Sequence, residues 1–144
     1  MKAAIIFFSA TGNTRRIADL LADRLRYRDW RVLLTPVDEA QISDVREADL
    51  VLLGSPAWSG ERVVDPLKDF VCDAREWLRG KKVAFFGSYD WGEDRHFDAL
   101  TAELRESGIE VRDAPCVTNA REGLPGPEAA DAFLLDLTAQ ACTD

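Results

Sequence analysis

An unbroken apolar run, Ala3-Ala4-Ile5-Ile6-Phe7-Phe8, stops at a short polar stretch, Ser9-Ala10-Thr11-Gly12-Asn13-Thr14. Directly behind it comes a helical pattern with apolar residues at Ile17, Leu20, Leu21 and Leu25. This order predicts a buried strand that ends in a tight hydroxyl-rich loop, with the loop opening a helix. The first amides of a helix have no partner inside it and carry the positive end of its dipole. Ser, Thr and Asn side chains around those amides make a site for a phosphate. Neither G-x-x-x-x-G-K-S/T nor G-x-G-x-x-G occurs here, so the loop is neither of those nucleoside triphosphate or dinucleotide sites. It reads as made for one terminal phosphate group. The competing reading is a polar turn that only caps a helix.

Four more strand-like runs follow, each separated from the next by a helical pattern. Trp30 to Pro36 is a second strand, and Asp49 to Gly54 a third that is apolar on both faces, as in a sheet covered by helices on either side. The third runs into a loop, Ser55 to Arg62, punctuated by Pro and Gly. A helix resumes near Val64 with a stripe at Leu67, Phe70, Val71, Ala74 and Leu78, and Gly80 stops it. Lys82 to Ser88 is the fourth strand and enters Tyr89-Asp90-Trp91-Gly92-Glu93-Asp94. A helix with Phe97, Leu100 and Leu104, a weaker fifth strand over Ile109 to Val117, and a last helix around Ala130, Phe133, Leu134 and Leu137 complete the chain. Five strands alternating with helices predict an α/β, doubly wound parallel sheet with helices on both faces. Ligands of such sheets sit beyond the carboxyl ends of the strands, where strand order reverses.

At 144 residues the chain is expected to form one domain over residues 1–144, without internal repeats or linkers. A net charge of −8 disfavours nucleic acid and anionic lipid and favours partners with basic patches. Cys72, Cys116 and Cys142 form no C-x-x-C and no metal-ligand spacing, which predicts reduced structural thiols and no metal site. The apolar part of the N-terminus is too short for a secretion signal, and no run approaches the roughly 18 apolar residues of a membrane span. The expectation is a cytoplasmic protein that does not enter membranes.

Trp58 and the pair Tyr89 and Trp91 lie in loops, outside the periodic stripes. Leaving such a ring in water forgoes about 1.5–3 kcal/mol. Rings on two neighbouring loops, with a phosphate site on a third, predict a flat aromatic ligand held between them. A phosphate on a polar stem attached to a flat ring system describes flavin mononucleotide, FMN. Trp30 and Trp77, at a strand start and in a helix, are expected to serve packing. His96, the only histidine, is expected to be solvated surface without a role.

In these stretches the sequence resembles the flavodoxins, FMN-containing electron carriers, and specifically their short-chain group. The matching residues are Thr11-Gly12-Asn13-Thr14, Gly54-Ser55-Pro56-Ala57-Trp58 and Gly87-Ser88-Tyr89-Asp90-Trp91-Gly92. The resemblance covers essentially the whole chain, and the region of the fifth strand has no room for the long inserted loop of the long-chain group. It implies strand order 2-1-3-4-5 and a cofactor site made of Ser9 to Thr14, Pro56 to Glu61 and Ser88 to Gly92. Within it, Ser9, Thr11, Asn13 and Thr14, with backbone amides from Ala10 to Thr14, hold the phosphate. Trp91 stacks on one face of the isoalloxazine and Trp58 lies against the other or at its edge. Backbone groups of Tyr89 to Gly92 meet the pyrimidine end, Glu61 accepts from N3, and the Ser59-Gly60 peptide turns its carbonyl toward N5 on one-electron reduction. The sequence departs from the family's usual pattern at Arg15, Arg16, Pro56, Arg62 and the Ser59-Gly60 order.

The function so implied is a low-potential one-electron carrier cycling between semiquinone and hydroquinone, with no catalytic residue. It would be a monomer that meets redox partner proteins through their basic docking surfaces. An acidic surround including Glu61, Asp90, Glu93 and Asp94 would disfavour the second, charge-adding reduction. The alternative is an enzyme of the same fold, a flavodoxin-like NAD(P)H:quinone or flavin reductase. Receiver-domain chemistry is excluded by Ser9-Ala10 and Gly54-Ser55-Pro56 at the positions that need acids, and no cysteine begins a phosphatase loop.

Overall fold

The computed structural model describes residues 1–9, 12–58, 62–89, 95–112, 115–119, 123 and 125–139. At Trp58, Arg62, Thr118, Asn119, Asp136 and Ala139 it describes the backbone alone. The elements run β1 (Lys2–Phe7), α1 (Asn13–Tyr27), β2 (Arg31–Pro36), a 3-10 turn (Val37–Glu39), α2 (Ile42–Arg46), β3 (Leu50–Gly54), β4 (Ala57–Trp58), β5 (Arg62–Val63), α3 (Asp65–Leu78), β6 (Lys82–Tyr89), α4 (Asp98–Glu106), β7 (Glu110–Val111), β8 (Cys116–Asn119) and α5 (Pro127–Ala139).

The main sheet is parallel in the order β2-β1-β3-β6, with β7 and β8 both paired to β6. Counting β7 and β8 as two halves of one strand, this is the doubly wound order 2-1-3-4-5. The fifth strand is split, and Pro115 in the gap lacks the amide that would continue the ladder.

Alternation along the strands builds two cores. Ala4, Ile6, Val51, Leu53, Val83 and Phe85 face α3 and α4, where Leu67, Val71, Leu78, Leu100 and Leu104 are buried. Ala3, Ile5, Phe7, Leu50, Leu52, Ala84 and Phe86 face α1 and α5, which bury Ile17, Leu21, Leu25, Phe133 and Leu134. A period of two on strands buried on both sides requires a helical layer on each face. The second layer is also joined by polar contacts. Arg24 forks onto Asp131 at 2.8 and 2.9 Å, and Arg28 donates to Thr138 Oγ1 at 2.9 Å, tying α1 to α5.

Two local expectations are corrected. The stretch after β3, expected as a loop, contains the antiparallel pair β4–β5, with Ala57 opposite Val63 and Trp58 opposite Arg62. Two-residue strands are too short to show alternation in a sequence. Trp77, expected in the packing, is 37% exposed and carries the Arg46 guanidinium 5.6 Å from its ring centre. The buried stripe of α3 runs through Leu67, Val71, Ala74 and Leu78, and Trp77 falls to its side. Trp30 is half-buried against the second core, as expected.

Candidate functional site

The carboxyl ends of β1, β3 and β6 lie side by side, because these strands are consecutive neighbours in the sheet. Strand order reverses between β1 and β3, so the connection after β1 opens to one face and that after β3 to the other.

After β1, Gly12 is the N-cap of α1, with φ 93° and no side chain of its own to cap the helix. That left-handed conformation is the reason for glycine here, since an added Cβ would meet nothing within 4 Å. Ser9 Oγ accepts from the amides of Gly12 (3.1 Å) and Arg15 (3.3 Å), folding the loop around a hydroxyl. The first turn of α1 holds no acidic residue, while Arg15 and Arg16 within it are exposed. A helix start with two cations and no carboxylate is a positive end that only an anion offsets. Beside it, a cavity of about 350 Å³ is lined by Ser9, Gly12 and Arg15 on one side and by Pro36, Asp38 and Pro66 on the other. The cations at this helix start suit a phosphate monoester, the group by which FMN would be held, and the Asp38 carboxylate in the cavity lining opposes one.

Thr14 is buried, and its Oγ1 shares a 3.1 Å hydrogen bond with Ser88 Oγ, itself buried near the end of β6. Two residues expected at the cofactor thus bind each other and link the first connection to the third. Asn13 is half-buried at the first position of α1.

After β3, Pro56 and Ala57 are half-buried, and the backbone of Trp58 pairs in β4. The base of this segment is Ser55, which is fully buried. Its Oγ donates to Pro56 O at 2.7 Å and accepts from Val64 N at 3.1 Å, so both ends of the connection close on one hydroxyl. Its amide donates to Phe86 O at 3.1 Å. Tyr89 ends β6 half-buried, its backbone in register with Asn119. Ala10, Thr11, Ser59, Gly60, Glu61, Asp90, Trp91 and Gly92 lie outside the described residues.

His96 corrects its sequence reading. It is 3% exposed, its ring lies 4.2 Å from that of Phe97, and its Nε2 is 3.0 Å from the Ser55 carbonyl oxygen. A carbonyl only accepts, so Nε2 carries the proton. The signal for its burial was in the sequence, since His96, Leu100 and Leu104 recur every four residues.

The fold is that of a doubly wound α/β protein, with a candidate ligand corner at the β1–β3 reversal. The family model described as Flavodoxin matches residues 5–122. The flavodoxin of Megasphaera elsdenii is 30% identical over 122 residues, covering 84% of this chain and 89% of that protein. Its two-electron-reduced solution structure superposes with a TM-score of 0.80 over 90% of this chain and 93% of that one. The flavodoxin of Maridesulfovibrio salexigens is 32% identical, covering 76% of this chain and 80% of its own. Oxidised flavodoxin 1 of Bacillus cereus, 28% identical, gives a TM-score of 0.74 over 94% of each chain.

The chain belongs to the flavodoxin family, electron-transfer proteins that carry FMN. No helix among the described residues is long and apolar enough to cross a membrane.

Proposed function

We propose that this chain, as one domain over residues 1–144, binds a single FMN and carries one electron at a time at low potential. The observation that carries the reading is the start of α1: a glycine cap, no acid in the first turn, and Arg15 and Arg16 beside it. This positive corner stands at the strand reversal, next to the two connections whose sequences carry Trp58 and Trp91. Ser9, Thr11, Asn13 and Thr14, with the backbone amides of Ala10 to Thr14, surround the phosphate. Pro56 to Glu61 and Ser88 to Gly92 flank the ring, with Trp91 on one face and Trp58 against the other or at its edge.

Bound there, FMN supplies reversible one-electron chemistry. The residues of the chain contribute binding at the phosphate end and an acidic surround at the ring end, where Glu61, Asp90, Glu93 and Asp94 disfavour the addition of negative charge. The working couple is then the one between half-reduced and fully reduced flavin. The protein acts as a monomeric cytoplasmic carrier rather than an NAD(P)H-dependent reductase, and it docks partners that present basic surfaces.

Anaerobic reductive titration of the FMN-loaded protein tests this. A long-wavelength absorbance band that rises and then fades at lower potential is the expected result. Direct bleaching in one step refutes the one-electron carrier, and failure to bind flavin refutes the site.

A further inference from the structure

We propose that His96 is a positioning residue for the flavin ring, tying Ser55, where the connection after β3 begins, to the turn that leads into α4. This rests on the FMN reading above and adds a residue that no part of that reading uses.

Three polar atoms of Ser55 are engaged in the interior, each by a different part of the chain. Oγ closes the β3-to-α3 connection on Val64 N, the amide holds Phe86 at β6, and the carbonyl receives the imidazole of His96. His96 stands just beyond the segment that leaves β6 at Tyr89. The connection after β3 therefore closes on Ser55, and His96, in the turn that leads into α4, donates to the same residue.

Gly87 supports the same arrangement independently. A Cβ there would run into the Ser55 carbonyl oxygen and come within 3.3 Å of His96 Nε2. The imidazole-to-carbonyl bond thus lies over the one position in β6 without a side chain. Thr14 and Ser88 bind the phosphate-side connection to β6 separately, so the His96 contact acts on the ring end and leaves the phosphate end in place.

The test uses the full chain with FMN, riboflavin and inorganic phosphate as probes, and the substitutions His96→Leu, His96→Gln and His96→Asn. Leucine removes the donor. The longer glutamine places an N–H near the Nε2 position, whereas the shorter asparagine stops at Nδ1. Without that bond the bound flavin must itself hold this geometry, at a cost of up to one hydrogen bond, which predicts up to about tenfold weaker binding of both FMN and riboflavin in the Leu and Asn variants. Phosphate affinity should stay as in the unsubstituted protein, the visible circular dichroism of the bound flavin should change, and Gln should restore both flavin affinity and the signal.

Equal flavin affinity at all four residues overturns the proposal. So does a parallel loss of phosphate affinity, which marks a general packing role. If the Leu variant fails to fold, the Gln and Asn pair decides, and identical behaviour of the two overturns it. Absence of flavin binding by the unsubstituted protein overturns the FMN reading and this proposal together, whereas a bound flavin indifferent to residue 96 overturns this proposal alone.

Discussion

Replacing Gly87 by alanine adds one methyl group where β6 crosses beneath Ser55. Among the described residues the glycines with positive φ are Gly12, Gly80, Gly108 and Gly123, and Gly87 is not one of them, so the constraint on it is space alone. The new Cβ would stand closer than 3.0 Å to the Ser55 carbonyl oxygen, a backbone atom that no rotamer change can move. Relief requires Ser55 to shift by on the order of an ångström, which takes a hydrogen bond out of range. The 3.0 Å bond from His96 and the 3.1 Å bond from Ser55 N to Phe86 O are both lost. Leaving a buried polar group without its partner costs about 1–3 kcal/mol each time. Against this stands about 0.4–1 kcal/mol from restricting the unfolded chain. The balance is a destabilisation of about 3 kcal/mol, which at a urea slope near 1–3 kcal/mol/M lowers the midpoint by roughly 1–3 M. Urea unfolding of the flavin-free protein, followed by far-ultraviolet circular dichroism, reads it directly. Gly126→Ala, where nothing lies within 4 Å, is the control and should change stability by less than about 1 kcal/mol. A Gly87→Ala midpoint equal to that of the parent would refute the crossing as described.

Thr14→Val and Ser88→Ala should each destabilise the flavin-free protein by about 1–2 kcal/mol, and the double variant by less than the sum, because both remove the same buried bond. Independent addition in that cycle would mean the hydroxyls do not interact. The Asp131 carboxyl is held below its ordinary pKa, first by the hydrogen bond from Arg24. Its contribution is present above the unfolded carboxylate value of about 3.9 and is lost as pH falls through the lower folded value. Asp131→Asn should therefore be less stable than the parent at neutral pH and approach it in acid; a pH-independent gap counts against the ion pair. Burial pushes the Cys116 thiol up to about 11, so about a thousandth of it is thiolate at pH 8. Mapped alkylation should label exposed Cys72 first and Cys116 only slowly, and equal rates would contradict the burial.

The parallel sheet was legible because each strand announces itself as an apolar run ending in polar residues. The two-faced burial of Leu50 to Gly54 and the helix stripes of Ile17, Leu21 and Leu25 needed nothing beyond periodicity. The candidate phosphate loop stood out for a related reason: a polar stretch rich in hydroxyl residues lies between an apolar run and a helical stripe, and the structure starts α1 there with Gly12 as its cap. What could not be read was the wiring beneath the site. Ser55 was visible as part of a motif, yet its burial and its closure on Val64 depend on where β6 and the His96 turn pass, which is long-range information. The hydroxyl pair Thr14 and Ser88 is 74 residues apart in the chain. The loop's composition marked Thr14 and the family resemblance marked Ser88 as cofactor residues, and neither gave a hint that the two meet each other.

The two ends of the proposed site carry opposite fields, and this separates affinity from potential. Arg15 and Arg16 stand at the positive end of α1, where cations oppose the helix dipole unless an anion is bound. The phosphate of FMN keeps its charge whether the ring is oxidised or reduced. A charge that acts on the phosphate alone therefore strengthens binding of every redox state equally. By linkage, a potential shifts only by the difference in binding free energy between two redox states, and here that difference is zero. Both guanidinium groups are exposed, so the relevant dielectric is near that of water. One charge against a phosphate dianion at roughly 7 Å is then worth about 1 kcal/mol, or about fivefold in affinity. Arg15→Gln with Arg16→Gln should weaken FMN binding by roughly 25-fold at low salt, with a loss that shrinks as salt rises. Riboflavin affinity and both reduction potentials should stay where they were. Asp90→Asn with Glu93→Gln should do the reverse, raising the potential of the second electron because those charges act on the ring that receives it. Fluorescence titration at two salt concentrations and dye-coupled potentiometry measure the two effects independently. An arginine variant that moves the potential while leaving FMN affinity intact would place these cations at the ring and undo the division of the site into a binding end and a tuning end.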